Sequence, residues 1–108
     1  MAFKLMKSDT FTARADVVAP DGHKYRCDAQ FKLPGDDRLA AIEDGEMGDE
    51  ETLREHLEGW TNFRDYNGEP IEYNADNREQ AIATPYIRRA LAQAFIAGVY
   101  GVGGRRKN

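Results

Sequence analysis

The sequence predicts an α+β domain in which an N-terminal antiparallel β-hairpin packs against a C-terminal group of three to four short helices. Apolar and polar residues alternate with period two in the first third of the chain, as is typical of half-buried strands. From Asp36 the apolar spacing changes to three and four residues, which is typical of amphipathic helices. At 108 residues the chain has the size of one domain. We predict a single globular domain over residues 1–100, with a β part over 1–35 and a helical part over 36–100.

The two strands of the predicted hairpin are separated by the turn Pro20-Asp21-Gly22. Proline fixes φ, aspartate bonds to nearby backbone and glycine accepts positive φ, so this tripeptide favours a chain reversal. Phe3 and Leu5 have the same odd parity as the apolar strand positions and leave open a short third strand. The positions predicted to face the core are Phe11, Ala13, Ala15 and Val17 in the first strand and Tyr25, Cys27, Ala29, Phe31 and Leu33 in the second.

Two acidic helices are predicted after Pro34-Gly35. The first is capped by Asp36-Asp37 and ends at Gly45, and the second is capped by Asp49 and ends near Gly59. Residues 36–58 hold ten acidic and two basic residues, whereas residues 84–108 hold five basic residues and no acid. One interpretation is that these opposite charges attract each other within the fold or across a partner interface. The alternative is that they form solvated helix faces and a basic tail. The apolar stripe predicted for the second helix is Leu53, Leu57 and Trp60.

An ordered, irregular loop or an irregular hairpin over 61–73 is predicted next, because this segment has few helix signals and contains the tight-turn pair Asn67-Gly68. Asp76 and Glu79 have the spacing of a capping box and predict a short helix to about Ala83. The last helix is predicted from Pro85 to about Tyr100, with Thr84 as its cap. Residues 101–108 are predicted to form a flexible basic tail. The core stripe of the last helix is Ile87, Leu91, Phe95 and Val99.

Residue chemistry gives little indication of catalysis. Cys27 is the only cysteine, and strand parity places it in the core, where nothing near it in sequence would lower its pKa. His23 and His56 lack the spacing of a zinc site, so we expect no metal and no cofactor. The formal charge of −4 argues against nucleic acid as the main partner, and no apolar run is long enough to span a membrane. We expect a non-enzymatic domain of a reducing cytoplasm.

Aromatic residues concentrate in the second half of the chain. They either fill the core of a small domain or line a surface for an apolar partner segment, since aromatic side chains dominate protein interfaces. The residues predicted to contact a partner are Trp60, Phe63, Tyr66, Tyr86 and Phe95.

Three segments of the second half form a family pattern. These are Glu58-Gly59-Trp60, the run from Asp65 through Asn67-Gly68-Glu69-Pro70-Ile71-Glu72-Tyr73-Asn74, and the proline-started helix from Pro85 to Phe95. The pattern resembles that of the small tail assembly chaperones of tailed bacteriophages and prophages, over about 40 residues. Asn74 stands where that family more often has serine or threonine, which is an exchange between helix-capping residues.

The resemblance implies a non-catalytic function. Such a chaperone binds apolar helical segments of the tape-measure protein in the host cytoplasm, keeps that protein soluble until the tail tube assembles, and is absent from the mature virion. The tail-tube protein and a second copy of the chain are further partners left open at this point. A structural tail-completion or adaptor component of the virion and a regulatory protein-binding module are the alternative functions.

Overall fold

A computed structural model describes residues 8–101 of the chain. It confirms the predicted α+β class, with an antiparallel sheet of order β1-β2-β3 packed against four helices. The possible strand at Phe3 and Leu5, and the predicted tail beyond Gly101, lie outside the described residues. The elements are β1 Thr10–Val18, β2 Lys24–Lys32, α1 Asp36–Glu43, α2 Asp49–His56, β3 Leu57–Thr61, α3 Ala75–Ala83 and α4 Pro85–Val99.

The β1–β2 hairpin forms in the register that the alternation predicts. Phe11 pairs with Phe31 at its open end and Val17 with Tyr25 beside the turn. The odd positions face the core and the even positions face solvent, so one face of the sheet is apolar and the other polar. In the turn, Asp21 accepts a hydrogen bond from the backbone N–H of His23 at 3.0 Å, and Gly22 has a φ of 92°.

The third strand is where the sequence analysis is wrong. The second acidic helix ends at His56, and Leu57–Thr61 forms β3 instead of continuing it. In β3, Leu57 pairs with Phe31 and Trp60 with Ala29, with Glu58 inserted as the extra residue of a β-bulge. In a regular strand Leu57 and Trp60, three positions apart, would face opposite sides, but the extra residue turns both toward the core. A spacing of three residues also places two side chains on one face of a helix, which is why the sequence predicted that the helix would continue here.

The helices start close to the predicted positions, but most of their N-cap residues differ from those predicted. Gly35 and Gly48 are the N-cap residues of α1 and α2, where Asp36-Asp37 and Asp49 were predicted. The cap of α3 is Asn74, whose side-chain oxygen accepts the Asn77 N–H at 2.8 Å, and not Asp76. Thr84 precedes Pro85 at the start of α4 as predicted, but its hydroxyl donates to the Gln80 carbonyl in α3 and does not cap α4.

Helix α4 closes the core by lying across the inner face of the sheet, mainly against β1. Leu91 and Phe95 are fully buried, and the Phe95 ring lies edge-on to Phe31 with centroids 5.2 Å apart. The inner face of β1 presents Ala13 and Ala15, whose small side chains let the helix approach the sheet closely. Within residues 8–101 the helices pack on this face of the sheet, and most even positions of β1 and β2 on the opposite face are exposed.

Ion pairs join the acidic middle of the chain to its later helices. Glu50 in α2 accepts a hydrogen bond from Arg88 in α4 at 3.0 Å. Arg54 in α2 pairs with Glu79 in α3, which raises the pKa of Arg54 and lowers that of Glu79. Arg78 of α3 donates to the Arg54 carbonyl at 2.7 Å. Part of the predicted charge attraction is thus satisfied within the fold.

Candidate functional site

A concavity lies where the turn end of the hairpin, the loop after β3 and the start of α4 meet. We call it the aromatic cleft. It has a volume of about 190 Å³, below the roughly 300–1,000 Å³ of a site for a drug-sized ligand. One or two side chains of a partner would fill it. Its lining residues are Val17, Tyr25, Phe63, Arg64, Asp65, Tyr66, Ile71, Tyr86 and Ile87.

The loop that forms one wall of the aromatic cleft is a small, internally bonded hairpin. Arg64 and Pro70 form an antiparallel bridge, and the Ile71 N–H donates to the Phe63 carbonyl at 2.7 Å. The Asp65 carboxylate accepts the N–H groups of Asn67 at 2.9 Å and Glu69 at 3.0 Å. These bonds fix the backbone on both sides of Tyr66, so its side chain projects from an ordered support.

Trp60 anchors this loop from beneath. Its indole N–H donates to the Ile71 carbonyl at 2.8 Å, and its ring lies edge-on to Phe63 and Tyr73 at 5.2 and 4.9 Å. The Tyr73 hydroxyl in turn donates to the Leu57 carbonyl at 3.3 Å. Edge-on aromatic pairs stabilise a structure by about 0.5–1.5 kcal/mol each beyond their buried area. The Gly59-Trp60 segment of the family-like pattern is therefore structural, since it holds the wall of the aromatic cleft.

The five predicted partner-binding residues separate into buried and exposed groups. Phe95 is fully buried at the far end of the core, against Phe11, Phe31 and His56. Trp60 and Phe63 are 6% and 5% exposed, and only Phe63 reaches the floor of the aromatic cleft. Tyr66 is 81% exposed and Tyr86 is 36% exposed, and both stand at the rim. The structure therefore brings Phe63, Tyr66 and Tyr86 together and places Trp60 and Phe95 in the core.

The aromatic cleft combines an apolar floor with polar groups at its rim. Within residues 8–101 the hydroxyls of Tyr25, Tyr66 and Tyr86 have no hydrogen-bond partner, so all three are available to a bound molecule. Desolvation, followed by the negative charge of Asp21, raises the pKa of Tyr25. A tyrosine hydroxyl is protonated at neutral pH even without such a shift, so it can donate a hydrogen bond there. The Arg64 guanidinium donates to the Gly68 carbonyl at 3.0 Å and keeps further N–H groups for a partner.

The lining of the aromatic cleft suits binding better than covalent chemistry. It contains no cysteine, histidine, serine or threonine, so it lacks the nucleophile and base pair of acyl-transfer enzymes. Cys27 lies elsewhere, fully buried as predicted, and burial raises the pKa of its thiol to about 12. A thiol with that pKa is protonated at neutral pH and is a poor nucleophile.

Sequence reasoning missed Tyr25, Arg64 and Asp65 as site residues. Parity placed Tyr25 on the inner face of the hairpin, and its position next to the turn was the available signal that this face is incompletely covered there. Arg64 belongs to no motif, and Asp65 begins the second segment of the family-like pattern without having been predicted to contact a partner. They enter the site because the loop hairpin packs beside Tyr25, a contact between segments about 40 residues apart in the sequence.

Among residues 8–101, no cluster of three or more histidine, cysteine or acidic side chains is arranged to hold a metal ion. Within the same range, no helix has both the length and the apolar character needed to cross a bilayer.

No family model, curated protein or solved structure matches this chain. The function is therefore inferred from the sequence pattern and from the geometry of the aromatic cleft.

Proposed function

We propose that this protein is a tail assembly chaperone of a tailed bacteriophage or prophage. In this proposal it acts without catalysis, binding apolar helical segments of the tape-measure protein in the host cytoplasm and keeping them soluble until the tail tube assembles. The observation that carries the proposal is the aromatic cleft, in which Tyr66 and Tyr86 stand exposed on ordered supports above an apolar floor. The resemblance of residues 58–100 supplies the identity of the partner.

The chemistry of the aromatic cleft fits this partner. An amphipathic helix binds a partner surface by inserting a few apolar side chains, spaced three and four residues apart, into a complementary depression. Val17, Phe63 and Ile71 provide apolar contact for one such side chain. The rim hydroxyls donate to polar groups that flank it, and tyrosine is among the residues that contribute most at protein interfaces. A shallow site of this size supports weak, repeated binding along a long partner.

The test is co-expression of the chain with the tape-measure protein of the same phage or prophage, scored by the fraction of tape-measure protein that stays soluble. We expect the native chain to raise that fraction and the double variant Tyr66→Ala, Tyr86→Ala to lose the effect. Loss of two interface anchors, at about 2 kcal/mol each, weakens binding by roughly a thousandfold when the two losses add. Because both side chains are exposed, the double variant should unfold within a few degrees of the native chain.

The matched control is Val18→Ala, which removes an exposed apolar side chain on the opposite face of the same hairpin. Val18 is 53% exposed and lies outside the aromatic cleft, so this variant should keep the tape-measure protein soluble. If the double variant protects as well as the native chain, the aromatic cleft is not the binding site. If the native chain has no effect and is found by mass spectrometry in purified particles, a structural component is the better assignment.

A further inference from the structure

The aromatic side chains of the aromatic cleft can attract a positive charge as well as an apolar group. They are Tyr25, Phe63, Tyr66 and Tyr86. The face of an aromatic ring is negative, so it attracts a cation that lies within about 6 Å of the ring centroid. Because a cleft of about 190 Å³ is only a few ångströms across, a cation that enters it lies close to several of these rings.

Two carboxylates add negative charge near the tyrosine hydroxyls of the cleft. Asp65 belongs to the lining, and its Oδ1 atom accepts two backbone N–H groups of the loop, whereas its Oδ2 atom forms no hydrogen bond within residues 8–101. Asp21 lies in the turn of the β1–β2 hairpin. Desolvation raises the pKa of Tyr25, and the negative charges of Asp21 and Asp65 raise it further. The electrostatic potential at the Tyr25 hydroxyl therefore favours a cation.

The basic residue of the lining is directed to a group outside the cleft. The Arg64 guanidinium donates to the Gly68 carbonyl at 3.0 Å, and Gly68 does not line the cleft. The charges that shift the pKa of Tyr25 belong to acidic groups and other tyrosines, and not to Arg64. An anionic group would be repelled by Asp21 and Asp65 as it approached the tyrosine rings, whereas a cationic group is attracted by both.

We propose that the aromatic cleft selects helical segments that carry a lysine or arginine one turn away from the apolar side chain bound on its floor. Side chains three or four residues apart are neighbours on a helix surface, so both can reach one small cleft. The apolar side chain contacts Val17 and Ile71, and the cation lies between Tyr66 and Tyr86 beside the Asp65 carboxylate. This inference rests on the proposed function in taking the cleft as the partner site, and it adds the charge of the segment that is bound.

Binding of designed helical peptides to the purified chain tests the inference. Each peptide is built from alanine and glutamine and has roughly 20 residues, since alanine-rich helices shorter than about 12–15 residues are marginal in water. The first peptide carries one leucine and a lysine four residues after it, and two matched peptides have glutamine or glutamate in place of the lysine. We expect the lysine peptide to bind about three- to tenfold more tightly than the glutamine peptide, and the glutamate peptide to bind most weakly. Fluorescence anisotropy of the labelled peptides measures the dissociation constants.

Variants of the chain assign this preference to the aromatic cleft. Asp65→Asn keeps an acceptor oxygen for the loop but removes the charge, and Tyr66→Leu keeps an apolar side chain but removes the ring. Each should reduce the preference for the lysine peptide over the glutamine peptide at least about twofold. Arg64→Gln removes a like charge and should strengthen binding of the lysine peptide. Val18→Ala, outside the cleft, is the matched control, and circular dichroism shows whether each variant is folded.

The inference is overturned if the native chain binds the lysine and glutamine peptides equally, prefers the glutamate peptide, or binds none of them. It is also overturned if Asp65→Asn and Tyr66→Leu keep the full preference in a folded chain, or if Arg64→Gln weakens binding of the lysine peptide. Co-expression with the tape-measure protein decides the chaperone function separately. Soluble tape-measure protein together with equal peptide binding refutes only the charge selectivity, whereas selective peptide binding together with insoluble tape-measure protein refutes only the chaperone function.

Discussion

Replacing Gly98 by alanine should have two opposing effects on stability, one from helix propensity and one from a steric contact with Phe11. Gly98 lies in the last turn of α4, where alanine should stabilise the helix by at most about 1 kcal/mol. However, a Cβ built on Gly98 overlaps Cε2 of Phe11 and lies 3.0 Å from its Cδ2 and 3.3 Å from its Cζ. Contacts this short force a shift of the Phe11 ring, which itself packs on Phe31 and Phe95 with centroids 5.6 and 6.0 Å away.

The steric term should exceed the helix-propensity term. Overfilling a packed site costs about 1–3 kcal/mol, so we expect Gly98→Ala to lower the free energy of unfolding by about 1–2 kcal/mol. For a domain of this size, that lowers the thermal midpoint by roughly 4–16 °C. Thermal and urea unfolding followed by circular dichroism would measure the change.

The same substitution in a Phe11→Leu background tests the cause. Leucine has no atom equivalent to Cε2 or Cζ, so the contact with the new Cβ should largely disappear. Gly98→Ala should then be neutral or slightly stabilising, which gives a coupling free energy of about 1–2 kcal/mol between the two positions. An equal loss of stability in both backgrounds would refute the steric explanation, as would a stabilising effect of Gly98→Ala in the native chain.

Two further predictions concern stability. Asn74→Ala removes the side-chain cap of α3 and should cost about 0.5–2 kcal/mol in urea unfolding, while Asn74→Asp, which keeps an acceptor oxygen, should cost less; equal losses would contradict the capping role. Burial raises the pKa of the Cys27 thiol from 9.0 to about 12, so above pH 9 the unfolded chain releases a proton that the folded chain keeps, and stability falls with rising pH. At pH 11 the native chain should have lost about 2–3 kcal/mol relative to Cys27→Ala, compared with their difference at pH 8, and a pH-independent difference would show that the thiol is not shielded.

Local patterns in the sequence predicted the hairpin and α4 well, because each depends on contacts between near neighbours. Alternation set which residues of β1 and β2 face the core, and Pro85 marked the start of α4. The strand β3 was missed because a bulge is a property of pairing with β2, which the sequence of residues 57–61 does not reveal by itself. A spacing of three between Leu57 and Trp60 satisfies both a helix and a bulged strand.

The candidate site was predicted only in part, because the burial of each aromatic side chain also depends on contacts between segments that are distant in the sequence. Aromatic content pointed to Phe63, Tyr66 and Tyr86, but it gave no way to separate them from Phe95 and Trp60. That separation depends on which elements pack together. Phe95 is enclosed because α4 crosses the hairpin, whereas Tyr66 is exposed because its loop folds back on itself through the Asp65 carboxylate.

Since the walls of the aromatic cleft come from β1–β2, the loop after β3 and the start of α4, the cleft exists only when these distant segments are assembled. A molecule held there recognises the native conformation and has no comparable site on the unfolded chain. Binding of a partner in the aromatic cleft is therefore linked to folding. A partner present at 100 times its Kd would raise the free energy of unfolding by about 2.7 kcal/mol. A chain of this size, with one small core, would be most resistant to thermal unfolding and proteolysis while it holds its partner.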